Sequence, residues 1–512
     1  MNPNKDEDVT QFTKLRAEEY LGLHAETGST AFGDDALFSL TTGANLTAYG
    51  HRTLTQNTVG NSNTAIGHLS MEDNTSGSYN TAVGSSSLLE NTAGSYNSAF
   101  GHLAAQANTT GNNNAAFGYN ALAENTSGSY NTAIGPESLA ASTTASENTA
   151  VGYAALMVNT SGTANVAVGK DALKANTTGS GNVANGYQAL IANTTGSGNV
   201  ANGYQALLAN TTGAYNVASG YQALTANTSG LGNTAFGHQA LSSNTTGSYN
   251  TALNSYALLS NTAGHHNTAI GYQSLTANTT GSSNIAMGFQ SLAANTTGTS
   301  SIAIGYQSLT ANTTGVYNIA LGYQSLKANT TGSLNVAIGL QSLAANTTGA
   351  YNIALGYQSL QANTTGTYNA ATGRQALLYN TTGTHNIASG YATLQLNTTG
   401  IGNVAIGATA LLANTTENYN VAIGYQAGRN ATAAGSIYIG LSAGYYNTAD
   451  NKLMIGNNAT KVLIEGTMST TTANQIFQVN AATINFPYLP TSDPHVAGKL
   501  WRSGTDLKVS IG

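Results

Sequence analysis

Residues 318–351 read NIALGYQSLKANTTGSL and then NVAIGLQSLAANTTGAY, two copies of one 17-residue unit (Asn318 to Leu334 and Asn335 to Tyr351). The unit governs residues 29–432. The glycine that closes its NxAxG part recurs every 17 residues from Gly33 to Gly424, and only Asn254 breaks the series. That makes 24 units with no insertion or deletion. The alanine two residues before the glycine is present in all 24, from Ala31 to Ala422, and so is the threonine eight residues after it, from Thr41 to Thr432. Fixed-period self-similarity of this length means an array in which each unit packs on its neighbours.

Within the unit, Asn-[Thr/Val/Ile]-Ala-[Ile/Val/Leu/Phe] is β-prone and the glycine ends it. Tyr-Gln-[Ala/Ser]-Leu suits a second extended piece or a helical turn. Asn-Thr-Thr-Gly predicts a turn in which Asn and Gly take positive φ. Helical solenoid repeats need more than roughly 30 residues, because two helices and their loops must fit. Seventeen residues predict one coil of an all-β, parallel β-solenoid, or β-roll. Coils about 4.8 Å apart would give a shaft of roughly 110 Å. The asparagines at Asn278, Asn295, Asn312, Asn329 and Asn346 would then form a ladder bonded side chain to side chain. Alanine at the third position (Ala337, Ala354) and leucine at the ninth (Leu343, Leu360) are the expected roll core. Leucine holds the ninth position in 21 of 24 units; Met71, Ala105 and Gly428 are the exceptions.

The residues flanking the alanine point to the opposite face of the strand. They are apolar in most units: Val336 and Ile338, Ile319 and Leu321, Ile353 and Leu355. An apolar face of that length invites association, so the chain is expected to oligomerise along it. Asn185, Asn202, Ser219, Thr372 and Ser389 interrupt this face with polar groups. Such groups would be costly in a dry roll interior. On a symmetry axis they can pair with their copies or hold water, which assigns the face to a subunit interface.

Composition narrows the function. Charged residues make up 7% of the chain, against roughly 25% in ordinary soluble domains. No acidic residue lies between Asp171 and Glu417, where the only strong bases are Lys174, Lys327 and Arg374. A net charge of −6 gives no footprint for nucleic acid. With no cysteine, disulfides and thiolate metal sites are excluded. No apolar run is long enough to predict a transmembrane helix, so no membrane insertion is expected. The start, MNPNKDEDVTQFTKLRAEEYLGLHAE, lacks the apolar core of a signal peptide, which predicts synthesis in a cytoplasm.

The two ends differ from the array. Residues 1–28 carry six acids and three bases. Val9, Phe12, Leu15, Tyr20 and Leu23 predict one or two helical turns there, in a segment that attaches the array to something larger. Over residues 433–469 the glycine spacing shortens to 16 at Gly440 and Gly456 and the Asn-Thr-Thr-Gly turn is lost, as expected of a terminal cap. Residues 470–512 hold three of the five prolines and the only tryptophan. IFQVNAATINF and LKVSI predict short strands around the loop LPTSDPHVAGKLWRSGTD. Aromatic and arginine residues on loops carry binding energy, so Tyr488, His495, Trp501 and Arg502 are candidate receptor-binding residues.

The pieces NVAIG (403–407, 420–424), NTAIG (63–67, 131–135, 267–271) and NIALG (318–322, 352–356) resemble the head repeats of YadA-like trimeric autotransporter adhesins. That resemblance implies a left-handed parallel β-roll and a homotrimer. The longer form, GYQALxANTTGSxNTAx, is similar to repeats of phage tail-fibre and other virion fibre proteins. Residues 451–469 and the closing LPTSDPHVAGKLWRSGTDLKVSIG also resemble the distal ends of phage structural proteins. The implied role is a virion-surface fibre that docks on a virion or baseplate protein through residues 1–28 and displays a tip for a host cell-surface molecule, with a glycan as one candidate. Adhesins of the YadA type carry a signal peptide and an anchor barrel, and many phage fibres end in a self-cleaving chaperone domain. Neither pattern is matched, so trimerisation is expected to be seeded otherwise or after removal of such a domain. A cellular trimeric surface adhesin and an ice-binding β-solenoid are the alternatives; the latter requires a regular Thr-x-Thr pair on an exposed strand.

No catalytic constellation is legible, no cofactor is expected, and an enzyme is the least supported class. His265 and His266 have no acidic residue near them in sequence and are expected in solvent. Asp34 and Asp35 fit a capping or solubilising role, and Asp171 beside Lys170 fits a surface charge. The Asn-Thr-Thr triplets match the glycosylation sequon, but their regular place in a turn accounts for them. Tyrosines recur after the glycine (Tyr187, Tyr204, Tyr221, Tyr306, Tyr323) and before the first Asn (Tyr79, Tyr96, Tyr249, Tyr317, Tyr351, Tyr368). Stacking between coils explains them; flat faces offered to a glycan are the rival reading.

Overall fold

Each coil opens with a three-residue strand whose alternation is visible in its burial. In Val336–Ile338 the central Ala337 is fully buried while Ile338 is 40% exposed. The computed structural model describes residues 21–24, 27–459, 461–468, 476–479, 500–503 and 506–509. Among these the chain is all-β, a parallel β-solenoid of 17-residue coils. It forms two compact units, residues 1–365 and 366–512.

In the first unit, β1 (Leu21–His24) precedes the coil strands from β2 (Ser29–Phe32) to β21 (Ile353–Leu355). The coil strands pair in parallel with a strict 17-residue offset, for example Val336↔Ile353, Ala337↔Ala354 and Ile338↔Leu355. A solenoid end exposes an unpaired strand edge. At this end β1 folds back antiparallel on β2, with Leu21 opposite Phe32 and His24 opposite Ser29. The apolar spacing of residues 1–28 had predicted helical turns; Leu23 lies instead in this strand, where pairing with β2 supplies the backbone partners. Val9, Phe12, Leu15 and Tyr20 fall outside the described residues.

The strand ends at a glycine for two reasons. Gly339 has φ +131°, and a Cβ there would lie 2.5 Å from the Gly356 carbonyl oxygen of the next coil. The following Leu-Gln-Ser-Leu stretch, residues 340–343, is neither strand nor helical turn. Gln341 and Leu343 both take φ near 53°. Left-handed φ costs a non-glycine residue on the order of 1 kcal/mol. Neighbouring coils offset the cost. The Gln341 N–H donates to the Tyr323 carbonyl and the Leu343 N–H to the Ser359 carbonyl, each at 2.9 Å, while the Leu343 side chain is fully buried. The expected positive φ at Asn-Thr-Thr-Gly is absent: Gly298 is not left-handed. Glycine is the usual residue because a Cβ would lie 2.5 Å from the Gly315 carbonyl oxygen; Ala145 and Glu417 hold the same place in two other coils.

The interior combines the expected Ala337, Ala354, Leu343 and Leu360 with two columns of asparagine, all fully buried. In the expected ladder, Asn295 Nδ2 donates to Asn278 Oδ1 at 2.8 Å and to the Gly298 carbonyl at 3.0 Å, and Asn295 Oδ1 accepts from Asn312 Nδ2 at 2.8 Å. The first residue of the coil forms the second column. Asn335 Nδ2 donates to the Gly349 carbonyl at 2.9 Å, and Asn335 Oδ1 accepts the backbone N–H of Asn352 at 3.0 Å. An amide side chain supplies donor and acceptor together, so each rung is satisfied by its neighbours. The invariant threonine has a similar explanation: Thr313 Oγ1 donates to the Thr330 carbonyl, its counterpart one coil on, at 3.1 Å.

The second unit begins with β22 (Ala370–Thr372), β23 (Ile387–Ser389), β24 (Val404–Ile406) and β25 (Val421–Ile423) at the same period. One 16-residue step then leads to β26 (Ile437–Ile439). In β26, Tyr438 pairs with Ala422 and occupies the alanine slot, fully buried. Its ring lies where two ninth-position leucines would be. A Cβ on Gly428 would sit 2.7 Å from the ring, and Gly444 faces its other side. Beyond it β27 (Lys452–Gly456) is still parallel, but β28 (Val462–Thr467) and β29 (Ile476–Val479) pair antiparallel, ending the coil register. β30 (Leu500–Ser503) and β31 (Asp506–Val509) form a separate hairpin.

Candidate interaction surface

The outward face of the coil strands carries the second and fourth positions in two columns. Ile319, Val336 and Ile353 stand in register in one; Leu321, Ile338 and Leu355 stand in the other. Ile338 and Ile353 are exposed and the remaining four are half-buried. No charged residue occupies either column in any strand from β2 to β26. At on the order of 100 Å² per coil, the twenty strands β2 to β21 offer about 2,000 Å², more than the roughly 800 Å² per partner of a standard interface. Phe32 stacks on Tyr49 in the fourth-position column at 5.0 Å, and Phe100 on Phe117 at 4.8 Å.

The column turns polar at Asn185, Asn202 and Ser219 in three consecutive strands of the first unit, and at Thr372 and Ser389 in the second. Asn185 and Asn202 are exposed. Among the described residues neither side-chain amide has a hydrogen-bond partner within the chain, unlike the bonded asparagines of the interior.

Tyrosines form a second surface feature. Tyr187, Tyr204 and Tyr221 stack at 5.3 and 5.1 Å, and Tyr272, Phe289, Tyr306 and Tyr323 at 5.7, 5.2 and 5.1 Å. With interplanar angles of 5–14°, ring faces are turned to one another rather than offered to a ligand. Stacking between coils is therefore what these tyrosines do. Lys170 extends the first stack, its Nζ 5.9 Å from the ring centres of both Tyr153 and Tyr187. Beside the stack runs a glutamine column missed in the sequence, in which Gln205 Nε2 donates to Gln188 Oε1 at 3.0 Å. Its signal was present as a glutamine recurring two residues after the glycine.

Charged groups are few, and among the described residues two ion pairs join some of them. Asp171 is not a surface charge but is buried, bonded to Lys174 Nζ at 2.9 Å. That hydrogen bond holds the lysine pKa above its ordinary value. Arg52 pairs with Glu72. His265 and His266 are exposed; the Nδ1 of His265 accepts the Ser248 N–H at 3.0 Å, and His266 stacks on Tyr249. Among the described residues no three His, Asp or Glu side chains gather as a metal site.

No family model matches the sequence, and no curated protein shows a significant match.

At the far end, the expected loop holding Trp501 and Arg502 is in part a strand: both residues lie in β30, opposite Lys508 and Leu507. Tyr488 and His495 fall outside the described residues. An open groove of about 810 Å³ lies where the parallel strands give way to β28, lined by Ile439, Ile455, Val462 and Leu463 with Lys461 and Glu465 at its edge. No helix among the described residues is long and apolar enough to cross a membrane. The described coil strands read TAI, TAV, SAF, VAI and similar, with no Thr-x-Thr, so the signature required of an ice-binding face is missing from them.

Proposed function

We infer that this chain is the subunit of a structural fibre on a virion, assembled as a homotrimer through the uncharged strand face. The observation that carries the reading is that face: in each unit, two columns of aliphatic, aromatic and small uncharged residues, with the coil interior already filled by its own side chains. The partner whose spacing matches it at every coil is another copy of the same chain. Closed cyclic association covers the face without leaving a free edge. Residues 1–28 attach the fibre to a virion or baseplate protein, and the end segment bearing Tyr488, His495, Trp501 and Arg502 meets a host surface molecule. The fibre role rests on the resemblance of the repeats; the association rests on the face.

Sedimentation of the purified chain tests the association. A trimer is expected, and Ile338→Asp with Leu355→Asp should dissociate it by burying unpaired charge. A monomeric natural chain overturns the reading. For the tip, Trp501→Ala and Arg502→Ala should weaken adsorption to host cells without changing the oligomer. Undiminished adsorption removes the tip assignment.

A further inference from the structure

We propose that the polar tiers at Asn185, Asn202 and Ser219 and at Thr372 and Ser389 set the axial register between copies of the chain. The proposal rests on the shared-face reading above. A face built from identical coils has a weakness as an interface: it nearly superimposes on itself when shifted by one coil, about 4.8 Å. Apolar burial is non-directional and roughly proportional to area. In the fourth-position column, sliding one copy along another exchanges one apolar side chain for another and loses little. The fourth-position column provides such interchangeable residues at Val151 and Val168 before the first tier and at Phe236 and Leu253 after it.

The tier breaks this degeneracy. In the aligned register Asn185 meets its own copies, as do Asn202 and Ser219. An amide or a hydroxyl both donates and accepts, so a closed ring of identical groups can satisfy itself. Both amides are free to do so, since neither is used within the chain. Shifted by one coil, the outer members of the tier meet Val168 or Phe236. Shifted by three to seven coils, every member of the first tier faces apolar side chains. Each amide buried without a partner disfavours that register about tenfold or more. A single buried asparagine in a coiled-coil seam selects alignment by the same means. Polar groups whose only effect was to weaken the face would have no reason to cluster in consecutive strands. The second unit repeats the device with two adjacent strands.

The chain has no cysteine, so introduced cysteines report register without interference. Ile304→Cys chains should form disulfides with one another under mild oxidation. In mixed assemblies, Ile304→Cys chains should not bond to Ile338→Cys or Leu355→Cys chains. Those sites lie two and three coils apart, about 10 and 14 Å by strand spacing, beyond the roughly 7 Å reach of a disulfide. The variant Asn185→Val, Asn202→Val, Ser219→Val, Thr372→Val and Ser389→Val places valine where Val83, Val151 and Val168 already serve, so the coils should form. It should remain assembled and show at least a tenfold rise in the offset disulfides. The same in-register pattern as the parent overturns the proposal, as does a monomeric variant, which would mean that the tiers drive association rather than alignment. A parent that sediments as a monomer overturns the shared face itself, and the register role with it.

Discussion

Replacing Tyr438 by alanine should loosen the last regular coils of the second unit by about 4 kcal/mol. The ring is fully buried, filling the space left by Gly428 and Gly444. A buried aromatic removed to alanine costs about 3–5 kcal/mol. The phenol oxygen also accepts a hydrogen bond from Asn447 Nδ2 at 2.8 Å, typically worth about 1 kcal/mol. Tyr438→Phe should therefore cost only the smaller amount. Gly428→Leu alone should also destabilise, because its Cβ would press on the ring at 2.7 Å. Its backbone is not the obstacle: Gly428 has φ 57°, close to the 49° of Leu411 at the equivalent position one coil earlier. The combination Tyr438→Ala, Gly428→Leu and Gly444→Leu restores the ordinary pattern and should recover most of the loss. Native-state hydrogen exchange at Val421–Ile423 and Ile437–Ile439 is the appropriate assay, since a long repeat array need not unfold in two states. Exchange should accelerate by about three orders of magnitude in Tyr438→Ala, at tenfold per 1.4 kcal/mol. Less than a tenfold change, or a triple variant no better protected than the single one, would refute the exchange of volumes between tyrosine and leucines.

Asn295→Leu should destabilise the first unit by roughly 2–3 kcal/mol, because it strands Asn278 Oδ1 in the interior and leaves Asn312 Nδ2 with the Gly315 carbonyl alone; hydrogen exchange confined to the adjoining coils would show it, and a neutral result would mean the ladder is dispensable. Burial raises the pKa of Tyr438 above its ordinary value of 10.0. Its contribution is complete below pH 10 and lost as pH rises through the higher folded-state value. Alkaline titration should loosen β26 above about pH 10 in the natural chain, and in Tyr438→Phe that transition should be missing. Gly298→Ala should weaken its coil without breaking it, as at Ala145, the equivalent place in another coil, where the Thr143 and Thr144 N–H groups reach the Thr160 carbonyl at 3.3 and 3.5 Å. Reduced protection across that coil is the expected readout, and a fully protected variant would mean that the coils yield more than the geometry allows.

Much of the architecture was legible because a repeat states its own packing. A 17-residue period with no slip admits a β-coil and excludes paired helices, and alanine and leucine at fixed places mark the interior at Ala337 and Leu343. The outward apolar columns at Val336 and Ile338 followed from alternation alone. The conformation of the rest of the coil did not. Left-handed φ at Gln341 and Leu343 runs against the preference of those residues, and it is set by hydrogen bonds to Tyr323 and Ser359 in neighbouring coils. Local propensity cannot register partners 16 or more residues away. Gly428 read as a lapse in the leucine pattern and Asp171 as a surface charge. Gly428 makes room for Tyr438, ten residues on, once the chain is coiled, and Asp171 is buried against Lys174 of the same coil. The sequence by itself determined the period, the strand, and which residues face in or out, because those depend on spacing along the chain. Only the tertiary structure decided the turn geometry, the aromatic stacking and the plug at the last coil, because those depend on atoms that stacking brings together across successive coils.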